Sequence, residues 1–241
     1  MSEFRRKLLS QKESEDVYIK DGLIIHLDCL DKANCRNNYW HSDIGNITFT
    51  GNSVYSERGF KFNGHNSGTY LVLDHSVFKN IYPYCTLEVV FETINCTSGY
   101  YLFADGDYFN GPLLQCSFNN TNLLVTTWSD KYPSTGSNGG TFNMPFPVPN
   151  NICTLSESFN GKNSKLGVLN TIRMTENTSA SIFAHSGNKA CIGCRYQNDS
   201  YSNWGGFSGY IKAIRMYNRA LNEEEILHNQ NIDSIKYNLG I

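Results

Sequence analysis

Long apolar runs are missing from this 241-residue chain: none approaches the ~18 consecutive apolar residues that a membrane-spanning helix needs. Charge is sparse too. At 17% charged residues and a formal net charge of −2, the chain lacks the basic footprint by which proteins bind nucleic acid or anionic membranes, so neither is expected as a partner. The opening MSEFRRKLLSQKESEDVYIK has no apolar stretch of the kind a secretory signal carries, so synthesis in a reducing cytoplasm is expected. In that setting the eight cysteines (Cys29, Cys35, Cys85, Cys96, Cys116, Cys153, Cys191 and Cys194) read as free thiols rather than a disulfide framework. Glycine-rich phosphate loops, a nucleophile elbow and internal repeats are absent as well.

What is present suits a sheet protein. Hydrophobic residues make up 40% of the chain and aromatics 13%, with 15 Tyr and 14 Phe, types that fit half-buried pleated surfaces. Twenty-nine Asn and 20 Gly supply turns between many short strands. Strands are expected at Leu23–Leu27, Asn46–Thr50, Gly59–Phe62, Tyr70–Leu73, Tyr84–Thr93, Tyr100–Ala104, Leu113–Phe118 and Leu123–Thr127. After a long connection from Tyr132 to Asn151, further strands are expected at Ile152–Phe159, Lys165–Met174, Ala180–Ala184 and Ala190–Cys194. Residues 1–20 stand apart: Phe4, Leu8 and Leu9 fall at helical spacing beside Arg5, Arg6 and Lys7. They read either as an amphipathic tail or as a docking segment ordered on a partner, followed by one domain over 21–241.

The stretch from Gly206 to Asn231 reads as a strand running into a short helix. Its alternation slips near Ala213, as at a bulge. Asn222 sits where an N-cap belongs, Glu225 completes a capping box, and Glu223 and Glu224 fill the first turn, where carboxylates meet the positive end of the helix dipole.

Three stretches carry a resemblance. Phe207, Gly209, Ile211, Ile214, Arg215, Tyr217, Asn218, Arg219, Ala220, Leu221, Glu225 and Ile226 resemble the closing strand and helix of concanavalin A-like lectin/glucanase domains, the laminin-G-like jelly rolls. Gly22–Asp28, with Trp40, Asp43, Gly45 and Asn46, resembles the opening strand and loop of that family, and Gly59–Gly64 one of its inner strands. The resemblance implies an all-β, antiparallel two-sheet jelly-roll sandwich with a short C-terminal helix, to which the helical spacing within residues 1–20 adds an N-terminal helical extension. It does not choose a function, since one fold hosts lectins, glycosidases and spacers.

Candidate chemistry is thin. Some glucanases of this fold align three carboxylates on one strand face as E-x-D-x-E; here Glu88 and Glu92 keep the outer spacing, but Val90 stands at the centre, so they read as two glutamates on a solvated face. Cys191-Ile192-Gly193-Cys194 is a lone C-x-x-C without a second ligand pair, and it reads as buried thiols. Asp105-Gly106-Asp107 could contribute ligands to calcium or form a plain hairpin turn; no metal and no cofactor are expected. Exposed aromatics beside polar loops are what sugar binding would use, because rings stack on pyranose faces while Asp and Asn bond hydroxyls. The candidates are Trp128, Asp130 and Tyr132 at the start of the long connection, with Tyr101, Asp105, Asp107 and Trp204.

The opening MSEFRRKL, followed by YIKDGLIIHLD, is similar to jelly-roll proteins of Bacteroidetes and of the crAss-like phages that infect them. This resemblance implies a non-catalytic virion protein of fibre or decoration type, assembled in the host cytoplasm. Phe4, Arg5, Arg6, Leu8 and Leu9 would dock it to other virion proteins, and a homo-oligomeric lectin-like head would contact host surface glycans. The alternative is a bacterial carbohydrate-binding module or adhesin; a glycoside hydrolase is the third reading.

Overall fold

The alternation in Gly59–Asn63 becomes a strand with Phe60 and Phe62 buried and Lys61 exposed. It is one of nineteen strands among the residues that the computed structural model describes, namely 17–64, 67–78, 84–94, 100–106, 114–118, 122–127, 141–145, 151–160, 165–170, 172–176, 189–197, 200–202 and 206–239. Numbered along the chain, the first sheet runs β15 (Ile172–Glu176), β14 (Lys165–Leu169), β13 (Ile152–Asn160), β8 (Tyr84–Thr93), β19 (Ser208–Tyr217), β6 (Gly59–Asn63) and β5 (Val54–Ser56), and β1 (Leu23–Asp28) also pairs with β19. The second runs β12 (Thr141–Pro145), β11 (Asn122–Thr127), β10 (Leu114–Phe118), β9 (Tyr100–Asp105), β16 (Ala190–Ile192), β7 (Leu71–Leu73), β4 (Thr48–Gly51), β3 (Tyr39–His41) and β2 (Cys35–Arg36). A separate ribbon pairs β17 (Arg195–Gln197) with β18 (Ser200–Ser202). Adjacent strands in both sheets run antiparallel, so the protein is an all-β two-sheet sandwich.

One core joins the two sheets. Trp40 of β3 stacks on Phe60 of β6 with ring centroids 4.4 Å apart, and Phe49, Phe62, Phe78, Phe91, Phe103 and Phe207 fill the space around them. Cys29, Cys35, Cys85, Cys153, Cys191 and Cys194 are free and buried. Burial pushes the Cys29 and Cys35 thiols up to about 12, which leaves them protonated and inert at neutral pH. The slip read near Ala213 is a bulge in the β19–β8 pairing between Ile211 and Ala213. It lets β19 pair with β6 over Ser208–Ile211 and with β1 from Ala213 onward.

Some elements differ from the sequence reading. The connection expected over Tyr132–Asn151 contains β12, and Lys165–Met174 is not one strand but the hairpin β14–β15, turned at Asn170 with φ 51°. Ala180–Ala184 lies outside the described residues, as does the helical segment expected within residues 1–16. The closing helix, α1, runs over Glu223–Tyr237, six residues past the expected end at Asn231. Ile232 and Tyr237, both buried, extend its contact with the domain beyond the stretch that the periodicity marked.

The capping box at its start is complete: Glu225 N–H donates to Asn222 Oδ1 at 3.0 Å, and Asn222 N–H donates to Glu225 Oε2 at 2.9 Å. Replacing Asn222 by Ala removes one partner of this exchange and is expected to cost about 1 kcal/mol of unfolding free energy. A urea titration reads it directly, and an unchanged midpoint would show that the cap contributes nothing here.

Candidate functional site

The face of β8 that carries Glu88 is buried. Ser156 of β13, Glu88 of β8 and Arg215 of β19 stand side by side across three strands, with Ser158, Thr86 and Tyr217 in the next row. Helix α1 covers them. Arg215 Nε donates to Glu88 Oε2 at 2.7 Å, and its two terminal nitrogens donate to Asp233 of α1 at 2.8 and 2.5 Å. Asn229 Nδ2 donates to Glu88 Oε2 and to the Tyr217 hydroxyl, each at 2.9 Å. Tyr18 closes the cluster: its hydroxyl donates to Asp233 Oδ1 at 2.9 Å, and the Arg215 guanidinium lies 4.1 Å from its ring centroid. Burial opposes the charge on Arg215, but the carboxylates of Asp233 and Glu88 outweigh it and hold the guanidinium's pKa well above its usual value. Burial also raises Glu88 above the usual carboxylate range, against the pull of Arg215.

Glu92, at the other end of β8, is held by the loop before β6. Arg58 donates to Glu92 Oε1 at 2.5 Å, and Lys212 Nζ sits 3.6 Å from Oε2 while donating to the Arg58 carbonyl at 2.6 Å. The solvated face read for Glu88 and Glu92 is therefore corrected, since they are 0% and 5% exposed. Period-2 spacing put them on one face, as read. That this face lies under a helix and a loop was invisible to spacing, because the covering residues come from more than a hundred positions downstream and some thirty upstream.

Two of the proposed sugar-binding residues are corrected in the same way. Tyr101 is buried, and its hydroxyl accepts a hydrogen bond from Arg195 Nη1 at 2.8 Å. Asp105 is fully buried, and its Oδ2 accepts from the Phe78 N–H at 2.7 Å. Both sit on β9, and the groups that hold them, Arg195 and the Phe78 N–H, come from other segments of the chain. Trp128, Asp130, Tyr132, Asp107 and Trp204 lie outside the described residues, as do Phe4, Arg5, Arg6, Leu8 and Leu9. Among the described residues no group of three or more His, Cys, Asp or Glu side chains is placed to hold a metal ion, and no helix is long and apolar enough to cross a membrane. Cys191 and Cys194 pack with Tyr70 and Val72 in a small apolar cluster.

The residues that sequence reasoning missed are Arg215 and Asp233. Their signal was present: an arginine inside the otherwise apolar run Ala213–Tyr217 needs a buried counter-charge. The identity of that partner was not legible, because Asp233 lies beyond the stretch that the helix pattern marked.

A cavity of about 440 Å³ opens beside this cluster, between β1, the turn at Asp43–Ile44 and the last turns of α1. Val17, Leu23, Ile44 and Ile235 give it an apolar lining, with His26 and Asp43 at one side. Residues 17–20 are anchored along α1: Ile19 N–H donates to Asn229 Oδ1 at 3.0 Å, and His228 Nε2 lies 2.9 Å from the Val17 carbonyl. His26 Nδ1 is 3.1 Å from Asp43 Oδ2, while Nε2 is buried with no partner among the described residues. Burial lowers the His26 pKa below 6.5, with Asp43 pulling the other way. A histidine held neutral in the fold contributes stability that is complete above its unfolded pKa near 6.5 and is lost as pH falls toward its lower folded value. The urea midpoint is therefore expected to drop between pH 7 and pH 5, with a shallower slope in His26→Gln. Equal slopes would show that another group carries the pH dependence.

No family model and no curated protein matches the sequence. Solved structures do match the fold. The binding domain of botulinum neurotoxin DC in complex with SialylT superposes with a TM-score of 0.58 at 10% identity, over 91% of this chain and 52% of that one. Botulinum neurotoxin type C, which depends on interaction with two ganglioside molecules to enter cells, gives 0.59 at 12% identity, over 87% of this chain and 51% of that one. Trypanosoma rangeli sialidase gives 0.61 at 12% identity, over 99% of this chain and 39% of that one. The shared feature is the sandwich. The chain spans about half the length of the toxin structures and about two-fifths of the sialidase.

Proposed function

We propose that this protein is a non-catalytic glycan-binding sandwich of the attachment type, carried on a phage virion by its first twenty residues as a homo-oligomer. The observation that carries the binding half is the fate of Glu88 and Glu92. Hydrolysis at this strand would need two carboxylates open to a sugar, one to donate and one to accept a proton or attack. Here both are buried and engaged by Arg215 and Asn229 and by Arg58 and Lys212. What remains is the two-sheet frame, which is shared with botulinum neurotoxin type C, whose cell entry depends on interaction with two ganglioside molecules. The loop residues of this reading are Trp128, Asp130 and Tyr132, a pairing of rings and polar groups suited to a pyranose.

A glycan array with sialylated, neutral and ganglioside headgroup probes tests it. Binding to one glycan class is expected, weakened at least tenfold by Trp128→Ala, with no sugar released from any probe. Binding that Trp128→Ala and Tyr132→Ala leave unchanged, or turnover that Glu88→Gln abolishes, would end this reading. Mass spectrometry of purified particles tests the virion half. Glycan binding by a protein missing from particles would favour the carbohydrate-binding module instead.

A further inference from the structure

A second cavity, of about 450 Å³, lies on the far side of α1, between the helix and the β14–β15 hairpin. Its size falls within the roughly 300–1,000 Å³ range of small-molecule sites. The helix contributes one stripe to it, from Glu223 through Leu227, Gln230 and Asn231 to Ser234. At a rise of 1.5 Å per residue that stripe is about 16 Å long. Val168 and the turn residue Asn170 form the opposite wall with Arg173.

Gln230 is the unusual member. It is 4% exposed, yet its Nε2 has no hydrogen-bond partner among the described residues. A buried amide group without a partner costs on the order of 1–3 kcal/mol, and folded proteins rarely leave one unexplained. The neighbouring buried amide, Asn229, is fully employed: it donates to Glu88 and Tyr217 and accepts from Ile19. Asn170 is also committed, accepting from Thr154 N–H at 2.9 Å. Of these three amides, Gln230 is the one that lines the cavity and has a side-chain nitrogen without a hydrogen-bond partner among the described residues.

The rest of the wall narrows the chemistry. Arg173 and Glu223 pair at 2.8 Å, so their charges cancel and the groove favours a neutral ligand over an ionic one. Leu227, 48% exposed, and Val168 offer aliphatic surface beside the amides of Gln230 and Asn231. A sugar ring has the same division, with C–H groups on its faces and hydroxyls at its edge. A hydroxyl both donates and accepts, so it satisfies the Gln230 amide whichever way that group is turned.

We propose that the groove between α1 and the β14–β15 hairpin is a binding site for a neutral, hydroxyl-rich ligand, a short uncharged oligosaccharide. Gln230 and Asn231 bond its hydroxyls, and Leu227 packs on a ring face. This site shares no residue with the loop set around Trp128, so the two stand or fall separately.

The test is NMR titration of the full chain, following the Gln230 side-chain amide and the Leu227 methyls. The probes are the methyl glycosides of glucose, galactose, mannose and N-acetylglucosamine, with maltotriose and cellotriose as longer forms. Saturable shifts of both signals with at least one probe are expected, retained in Trp128→Ala and weakened at least tenfold in Gln230→Leu. Gln230→Leu replaces a partnerless amide by an apolar side chain of similar size and is expected to keep or raise the thermal midpoint, which confirms folding. Leu227→Ala, at an exposed position, provides a second variant with the same expected loss. Three results overturn the assignment: no probe shifts Gln230, which leaves the cavity to water; shifts persist in both variants; or a capped tetra-alanine peptide shifts these signals where no sugar does.

Discussion

Arg215→Met is expected to lower the unfolding free energy by about 3–5 kcal/mol, the range for removing one partner of a buried charge cluster. The arginine is the sole cation bonded to both Glu88 and Asp233 among the contacts described, and both carboxylates are fully buried. Without it, two like charges face each other in a space that water does not reach, and α1 loses the bidentate tie that seats Asp233 on the sheet. Tyr18 would lose the guanidinium beneath its ring as well, so the anchoring of residues 17–20 should loosen with the helix. The companion variant separates charge from volume. Arg215→Met combined with Glu88→Gln and Asp233→Asn removes every formal charge at once and is expected to recover most of the loss, since neutral replacement of a whole buried cluster is often harmless. Urea unfolding of the single and triple variants reads both. A single variant within about 1 kcal/mol of the parent would place the helix's attachment in its apolar contacts instead.

Gly209→Ala is expected to cost about 3 kcal/mol, at the upper end of what overpacking a tight site typically costs. Gly209 sits in β19 at φ 155°, opposite Thr93 of β8 and Phe62 of β6. A Cβ built there would lie 2.1 Å from the Glu92 carbonyl oxygen and 2.8 Å from the Phe207 ring. Neither neighbour is a flexible side-chain end. The carbonyl belongs to β8, which carries the β13 ladder on its other side, and Phe207 packs against Phe62 and Phe91 in the core. Relief therefore requires moving a central strand. A fall in thermal midpoint large enough to leave the variant partly unfolded at 37 °C is the outcome to look for. A midpoint within a degree of the parent would mean that the strands part at no cost.

These two residues also show how far the sequence could be read. Gly209 falls in the Phe-x-Gly of the stretch resembling a family's closing strand, and the demand for glycine at one position could be read there. The reason could not, because the obstructing carbonyl comes from Glu92, over a hundred positions away. Asn222 and Glu225 were legible completely, because a capping box needs only four consecutive residues and its geometry is local. The bulge at Ala213 was legible as a break in alternation. Asp105 shows the opposite case: Asp-Gly at a strand end reads as an exposed turn, whereas its carboxylate is buried and accepts from the Phe78 N–H, 27 positions upstream.

By itself the sequence determined the class of fold, the strand succession in most of the chain, and the strand and capped helix that close it. Each is written in patterns a few residues long, where side-chain alternation and turn chemistry act between neighbours. Tertiary structure alone decided which polar groups are spent and which are left over. Glu88, Glu92 and Asp105 became structural because other segments of the chain engage them, and the Gln230 nitrogen has no partner among the described residues on a helix whose adjacent Asn229 has three. Hydrogen bonding is a property of groups brought together in space, and residues more than a hundred positions apart carry no mark of one another in the chain.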